Sequence, residues 1–399
     1  MRVLLSTIGS RGDVQPLVAL ALALRARGQE VRLCVPPDFR GWLEDLALPV
    51  TPIGPELRGA MARMAASPPT PEERRRMAEA SVAGQFATIA EAARGCDLVV
   101  AASALQIAAR SVAESMGIRY VFAAYCPIVL PSSRHAPPPL PVAPPADLPA
   151  ADNRELWARD ATRFAGTFGE ALASHRASLG LPPVDDVRAH VFTDRPWLAA
   201  DPTLAPWPEP EDGAVIQTGA WIWEDERPLS PELESFLDAG TPPVFFGFGS
   251  MRAHPDLARE MVTAARAVGR RAVLSRGWAD LSHEGAGPDV MTIGEVNVRA
   301  LFPRVAAVVH HGGAGTTTAA ELAGAPQVVV PQIYDQHYWA KRVRQLGVGT
   351  AHAPGRATAE SLTVELVRVL EPAFARRAGA LASAIRRDGA DEAARRLVA

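Results

Sequence analysis

His310–Thr318 reads HHGGAGTTT, follows the apolar run VAAVV at Val305–Val309 and precedes the helix-forming AAELAG at Ala319–Gly324. A strand that runs into glycines and then a helix turns unpaired backbone N–H groups and the positive end of a helix dipole towards one point in space. That is the arrangement of an anion site, and two adjacent histidines stand at its mouth, where an imidazole can donate to a phosphate oxygen. The stretch lacks the lysine of a P-loop, and it has neither Walker nor GxGxxG spacing, which argues against ATP hydrolysis and ordinary dinucleotide binding. The stretch predicts a diphosphate held in another way, at the end of a parallel strand.

Working back from it, VFFGFGS (Val244–Ser250), RAVLSRGW (Arg271–Trp278) and VMTIGEVN (Val290–Asn297) form a βαβ series that leads into the anion loop. The first half opens in the same way. VLLS at Val3–Ser6 reads as a strand, 16–27 as a helix ended by Gly28, and EVRLCV at Glu30–Val35 as the next strand. Both halves therefore predict a doubly wound parallel sheet, with ligands at the strand C-termini, where the first half places Gly9, Ser10, Arg11, Gly12 and Asp13. Asp38 stands where a dinucleotide enzyme carries its ribose acid, but GSRG lacks the three-glycine spacing, which disfavours an oxidoreductase.

The 399 residues suit two domains, and Lys+Arg 41 against Asp+Glu 44 leaves no basic surplus for nucleic acid or an anionic membrane, so a small-molecule partner is expected. No apolar run approaches the roughly 18 residues of a membrane span, and Arg11 and Asp13 interrupt the N-terminus too early for a signal peptide, which predicts a cytoplasmic protein. Cys34, Cys96 and Cys126 are widely spaced without a CxxC pair and read as buried free thiols. The chain contains no Asp-x-Asp carboxylate pair of the kind that holds a divalent cation, so protein groups are expected to meet any diphosphate charge. Two irregular stretches, 54–83 and the proline-rich 127–149, read as long loops following strands, placed either as surface excursions or as binding walls. 153–179 reads as a long helix, and 205–220 as the domain linker.

Taken with its continuation AGAPQVVVPQIYDQHYWAKRV, the anion loop resembles the donor-binding signature of family 1 glycosyltransferases. The chain is most similar to the vancomycin-group antibiotic glycosyltransferases and next to the sterol glucosyltransferases. MRVLLSTIGSRGDVQPLVALA, LAADPTLAP, QTGAW, DERPLSPELESFLDAG, GFGS and SRGWADL follow in that family's order, so the resemblance covers the whole chain. It implies an α/β GT-B architecture of two Rossmann-like doubly wound domains facing across a cleft: an acceptor domain over 1–204, a donor domain over 221–380, and a C-terminal helix at 381–399 that crosses back to the first domain.

The resemblance also implies the roles of residues. His311, with Gly312, Gly313, Ala314, Gly315 and Thr316, would contact the donor diphosphate, with His310 shifted from that position by one and Ser250 adding a hydroxyl. Glu295, Val296 and Asn297 match the segment whose backbone reads the pyrimidine base, and Trp278 lies beside it. Asp335 and Gln336 match a pair that hydrogen-bonds the donor sugar, which leans towards glucose over a deoxysugar. Asp13 occupies the position of the catalytic base, with Asp335 as runner-up, while Ser10, Arg11 and Gly12 reach the same diphosphate. A helix N-terminal carboxylate can also merely complement the dipole, but the place of Gly12 and Asp13 at the strand C-terminus argues for more. Most relatives have a ribose-binding glutamate where this chain has Ala319, and Glu321 lies at the wrong helical angle to replace it, so UDP and TDP stay open.

The implied chemistry is inverting, metal-independent transfer of a sugar, with a nucleotide-sugar co-substrate and no further cofactor, to a hydroxyl of an apolar natural product such as a glycopeptide, polyketide, sterol or phenol. An unperturbed aspartate, with a pKa of about 3.9, is a weak base, so the proton moves late or Asp13 is partly desolvated. Rival readings are a nucleotide-sugar epimerase and a non-catalytic nucleotide-sugar binding subunit.

Overall fold

The computed structural model describes residues 1–60, 69–139, 151–251, 254–283 and 287–399. The described residues divide into two compact units, one drawn from 1–138, 151–223 and 386–399, the other from 139 and 224–385.

The first unit is built on a seven-stranded sheet in the order β3-β2-β1-β4-β5-β6-β7. Its strands are β1 (Arg2–Thr7), β2 (Glu30–Val35), β3 (Val50–Pro52), β4 (Leu98–Ala102), β5 (Arg119–Ala124), β6 (Trp197–Leu198) and β7 (Ile216–Gln217). All pairs are parallel, and Val3 lies between Val31 on one side and Leu98 on the other. Val3, Leu4, Leu5, Leu98, Val99 and Val100 are wholly buried, as expected where helices cover both faces of a parallel sheet. The strand order reverses at β1, so the crevice for a ligand lies outside the carboxyl ends of β1 and β4.

The second unit repeats the plan with β8 (Val244–Gly247), β9 (Ala272–Ser275), β10 (Val290–Ile293), β11 (Ala307–His310), β12 (Gln327–Val329) and β13 (Gly349–Ala351), in the order β10-β9-β8-β11-β12-β13. Val309 on β11 sits between Phe246 and Val328, and the order reverses between β8 and β11. The anion loop leaves β11, and the segment containing Ser250 leaves β8. Both therefore emerge at this unit's switch point.

Several boundaries differ from the sequence reading. The first helix runs Arg11–Arg25 with Pro16 inside it, because Ser10 begins it and the N–H that Pro16 lacks would serve only the exposed Gly12 carbonyl. The irregular stretch 54–83 contains the start of a 22-residue helix, Pro71–Ala92. Its signal is Thr70-Pro71-Glu72-Glu73: Glu73 N–H donates to Thr70 Oγ1 at 3.2 Å, Thr70 N–H donates to Glu73 Oε2 at 2.7 Å, and proline occupies the first helical position. Residues 61–68 of that stretch, and 140–150 in and just beyond the proline-rich one, lie outside the described residues.

The passage between units falls after Trp223 rather than within 205–220, because that segment carries β7, whose pairing with β6 makes it part of the first sheet. At the other end the helix Pro372–Ala382 stays with the second unit, while the helix Gly389–Val398 belongs to the first. Arg27 Nη1 meets Asp391 at 2.7 Å, Arg119 donates to the Leu397 carbonyl at 3.1 Å, and Arg386 N–H donates to Asp201 at 2.8 Å. Gly389 is required here, since a Cβ would stand 2.3 Å from the Ala220 carbonyl oxygen. Among the described residues no helix is long and apolar enough to cross a membrane, and the three cysteines are buried and free.

Candidate active site

In the first unit, β1 ends in Ile8-Gly9-Ser10 and the helix Arg11–Arg25 starts at once. Asp13 is its third residue, and its Oδ2 accepts the Ser10 backbone N–H at 2.8 Å, with the Ser10 hydroxyl 3.4 Å away. The carboxylate thus satisfies a helix-end donor and is fixed at the carboxyl edge of β1. Gly9 makes room for it: a Cβ there would lie 2.2 Å from Asp13 Oδ2. From the end of β5 the Tyr125 hydroxyl donates to the Asp13 carbonyl at 3.1 Å. Burial, aided by the Asp13 charge, pushes the Tyr125 pKa far up, so it stays a donor.

Arg11, expected to meet a diphosphate, is stacked elsewhere. Its Cζ lies 3.4 Å above the Trp42 ring centre and 5.6 Å from that of Trp223, and its Nε donates to Gln15 at 3.1 Å. The stacking on Trp42 is a close cation–π contact. Gly12 is exposed, and a Cβ there would meet only Ser10 Oγ at 3.7 Å, so sterics do not demand glycine.

In the second unit the two histidines part company. His310, the last residue of β11, has no exposed surface. Its Nδ1 accepts the Gly312 N–H at 3.1 Å and its Nε2 meets Gln327 Oε1 at 2.8 Å, while Gln327 Nε2 donates to Glu321 Oε1 at 2.6 Å. The expectation that the His310 side chain touches a donor is corrected: both ring nitrogens are engaged inside the protein. Strand alternation is the reason, since neighbouring side chains point to opposite sides.

His311 is only partly buried by its surface, and its imidazole fills a slot between two glycines. A Cβ on Gly249 would lie 3.2 Å from its Cε1, and one on Gly313 would lie 2.6 Å from its Nε2. Its Nδ1 is buried without a well-formed hydrogen bond. Burial pulls its pKa down to about 4, the Gly247 backbone beside it only partly offsetting this, so the ring is neutral at pH 7.

Gly312 turns the chain at φ +91°, where a Cβ would meet Val329 at 2.7 Å and the Gln336 carbonyl at 3.1 Å. Gly313 then caps the helix Ala314–Leu322, and the first intrahelical bond is Thr317 N–H to Gly313 C=O at 3.0 Å. The N–H groups of Ala314, Gly315 and Thr316 precede it at the positive end of the helix. Thr317 and Thr318 return their hydroxyls to the Gly313 and Ala314 carbonyls, whereas Thr316 stands half-buried in the first turn.

Ser250 lies in the turn after β8, and Trp278 N–H donates to the Gly249 carbonyl at 2.8 Å, pinning the β8 and β9 loops together. Glu295 is exposed past β10 and Val296 is half-buried. The Asn297 side chain is structural: its Oδ1 caps the short helix Val298–Leu301 through Arg299 and Ala300 N–H, and its Nδ2 holds the Asp225 and Arg227 carbonyls at 2.8 Å each.

Asp335 accepts a hydrogen bond from Trp339 Nε1 at 3.0 Å, and burial pushes its carboxyl up to about 6. Tyr334 before it sits at φ +54°, a costly backbone for a tyrosine that aims this turn. Gln336 is nearly buried, and its Oε1 accepts the Gln332 and Ile333 N–H groups at 2.8 and 3.2 Å. Its role as a free sugar reader is corrected to that extent: only its Nε2, 3.2 Å from the Met251 sulfur, faces a partner weak enough for a hydroxyl to replace. Sequence reasoning placed Gly9 at this strand end without its steric role, and it missed Tyr125, Trp42 and the Glu321–Gln327 pair. Tyr125 and Trp42 come from distant segments and leave no local trace.

Residues 3–130 match the glycosyltransferase family 28 N-terminal domain, and residues 274–398 match the erythromycin biosynthesis protein CIII-like C-terminal domain. The chain is 50% identical over 400 residues to a vancomycin aglycone glucosyltransferase of Amycolatopsis orientalis, covering 100% of this chain and 97% of that protein. It is 44% identical over 386 residues to a dTDP-epi-vancosaminyltransferase of the same organism, covering 95% and 92%. The crystal structure of a glycotransferase of kitacinnamycin superposes with a TM-score of 0.75 at 19% identity, covering 100% of this chain and 98% of that one, which shows the shared fold. With an anion loop at one switch point, a fixed carboxylate at the other and full-length identity of this degree, the chain belongs to the family 1 glycosyltransferases of GT-B fold and stands among their vancomycin-group members.

Proposed function

We propose that this glycosyltransferase moves glucose from UDP- or TDP-glucose to a hydroxyl of a glycopeptide aglycone, with inversion and without a metal ion. The observation that carries the reading is the loop His311–Thr316, which presents an imidazole and three helix-end amides at the switch point of the second sheet. These groups meet the diphosphate as it leaves and stabilise its growing charge. Asp13, held at the carboxyl edge of β1, takes the proton of the acceptor hydroxyl as that oxygen attacks the anomeric carbon. Asp335 contacts the donor sugar, and the aglycone class follows from the relative named a vancomycin aglycone glucosyltransferase. An epimerase has no support among these relatives, both of which are transferases by name. A deoxyaminosugar donor is the second reading, favoured by the dTDP-epi-vancosaminyltransferase.

Incubating the protein with a panel of glycopeptide, polyketide, sterol and phenol acceptors and either UDP-glucose or TDP-glucose tests the reading by mass spectrometry. A hexose added to the glycopeptide aglycone is expected. Donor hydrolysis with no acceptor modified would overturn it. Among the described residues no group of three or more His, Cys, Asp or Glu side chains is placed to hold a metal ion, so turnover is expected to survive EDTA undiminished. Loss of activity with restoration by magnesium would transfer the charge-neutralising role from the loop to a cation.

A further inference from the structure

Beneath the anion loop lie three polar side chains that touch no solvent: His310 on β11, Gln327 on β12 and Glu321 in the last turn of the helix Ala314–Leu322. Their bonds run in one direction. The Gly312 N–H donates to His310 Nδ1, which leaves the ring proton on Nε2 to donate to Gln327 Oε1, and the Gln327 amide N–H donates to Glu321 Oε1. Each bond sets the orientation of the next group, and the one from the Gly312 N–H to His310 holds Gly312 in its left-handed turn at φ +91°. That turn places His311 and the helix N-terminus.

We propose that Glu321 and Gln327 are positioning residues for donor binding, locking the His310 tautomer and through it the Gly312 turn of the anion loop. The proposal rests on reading that loop as the diphosphate site. Three polar groups buried together cost more than an apolar trio filling the same space, and what this network supplies in return is a fixed orientation of His310. Glu321 Oε2 is buried without a hydrogen-bond partner, which suits a protonated carboxyl better than a carboxylate. Burial pushes its pKa up to about 8, opposed only by the Gln327 bond. The helices Val298–Leu301, Gln336–Leu346 and Pro372–Ala382 pack on its own helix. They carry Arg299, His337, Lys341, Arg342, Arg344, Arg376 and Arg377, and none of these, nor His310 or His311, is among the influences on Glu321. Its position at a helix C-terminus further disfavours the anion. Ionisation above pH 8 puts an uncompensated charge at the end of the chain of bonds and loosens the loop.

The test compares wild type with Gln327→Met, Glu321→Gln and His311→Ala, measuring UDP and TDP affinity and the kcat and donor KM between pH 6 and 9.5. Gln327→Met is expected to raise donor KM about tenfold with a much smaller change in kcat. Wild-type donor KM is expected to rise above about pH 8, and Glu321→Gln, which keeps the acceptor for Gln327 but cannot ionise, to flatten that rise. A folded Gln327→Met with normal donor KM, or a Glu321→Gln profile that rises like wild type, would overturn the proposal. Should Gln327→Met not fold, the Glu321→Gln profile decides alone. Unchanged nucleotide affinity in His311→Ala would instead sink the diphosphate reading of the loop, so the two failures are told apart.

Discussion

Asp13→Asn is expected to lower kcat by about 10²–10⁴-fold, the usual contribution of a positioned general base, while donor KM stays within a few-fold of wild type. The structure shows why asparagine is the sharper substitution. Asp13 also accepts the Ser10 N–H at the start of the helix Arg11–Arg25, and losing such an end contact altogether, as in Asp13→Ala, costs about 0.5–2 kcal/mol of stability in addition to any chemistry. Asparagine keeps an oxygen for that N–H and removes only the basic charge. Gly9→Ala should reproduce part of the loss without touching the carboxylate, because a Cβ 2.2 Å from Oδ2 forces it out of place. Steady-state kinetics with saturating acceptor, alongside thermal melts, separate the effects. Full turnover in a folded Asp13→Asn protein would pass the role of base to Asp335, whose buried carboxyl is already pushed up to about 6 and so takes a proton more readily than an ordinary aspartate.

Much of the fold was legible because a parallel strand buried on both faces is an apolar run bounded by turn residues. Val3–Leu5 and Val308–Val309 could be read as strands without knowing their neighbours. The pattern is weakest where short polar signals decide. Thr70-Pro71-Glu72-Glu73 begins a helix, but the surrounding arginines and prolines obscured it. The two-residue strands β6 and β7 exist only through their pairing, so 205–220 read as a linker.

At the site, sequence identified positions better than orientations. Asp13, His311 and the glycines after it stand at the predicted strand ends. His310, Asn297 and Gln336 stand there too, but their polar atoms are taken by Gln327 and Gly312, by the 225–227 and 299–300 backbone, and by the 332–333 backbone respectively. Partners that come from other strands and loops leave no local trace. Arg11 shows the same limit, because nothing near it in sequence announces Trp42 or Trp223.

His311→Ala is expected to weaken UDP and TDP binding by about 10- to 150-fold, equivalent to the roughly 1.5–3 kcal/mol of a hydrogen bond to a charged group, and to lower turnover as well. The bond needs no imidazolium. With its pKa pulled down to about 4 the ring is neutral across the working range, and the charge that strengthens the bond sits on the phosphate. A pH signature follows. If binding required His311 to be protonated, affinity for a nucleotide sugar, whose diphosphate does not titrate here, would fall steadily as pH rises from 5 to 7.5, above the depressed pKa; a neutral donor predicts a flat profile for that ligand. The same depressed pKa bears on stability with a definite sign. The unfolded chain binds a proton at His311 below about 6.5 and the folded chain resists it down to about 4, so folding stability is lost as pH falls through that window. His311→Ala removes this contribution, and the gap in melting temperature between wild type and variant should narrow, or move in the variant's favour, between pH 6.5 and 4. Calorimetric titration of the nucleotide sugars at pH 5, 6 and 7.5 checks the binding claim. Since His310 is enclosed and cannot take over, unchanged affinity in the variant would mean that the His311–Thr316 loop is not the diphosphate site.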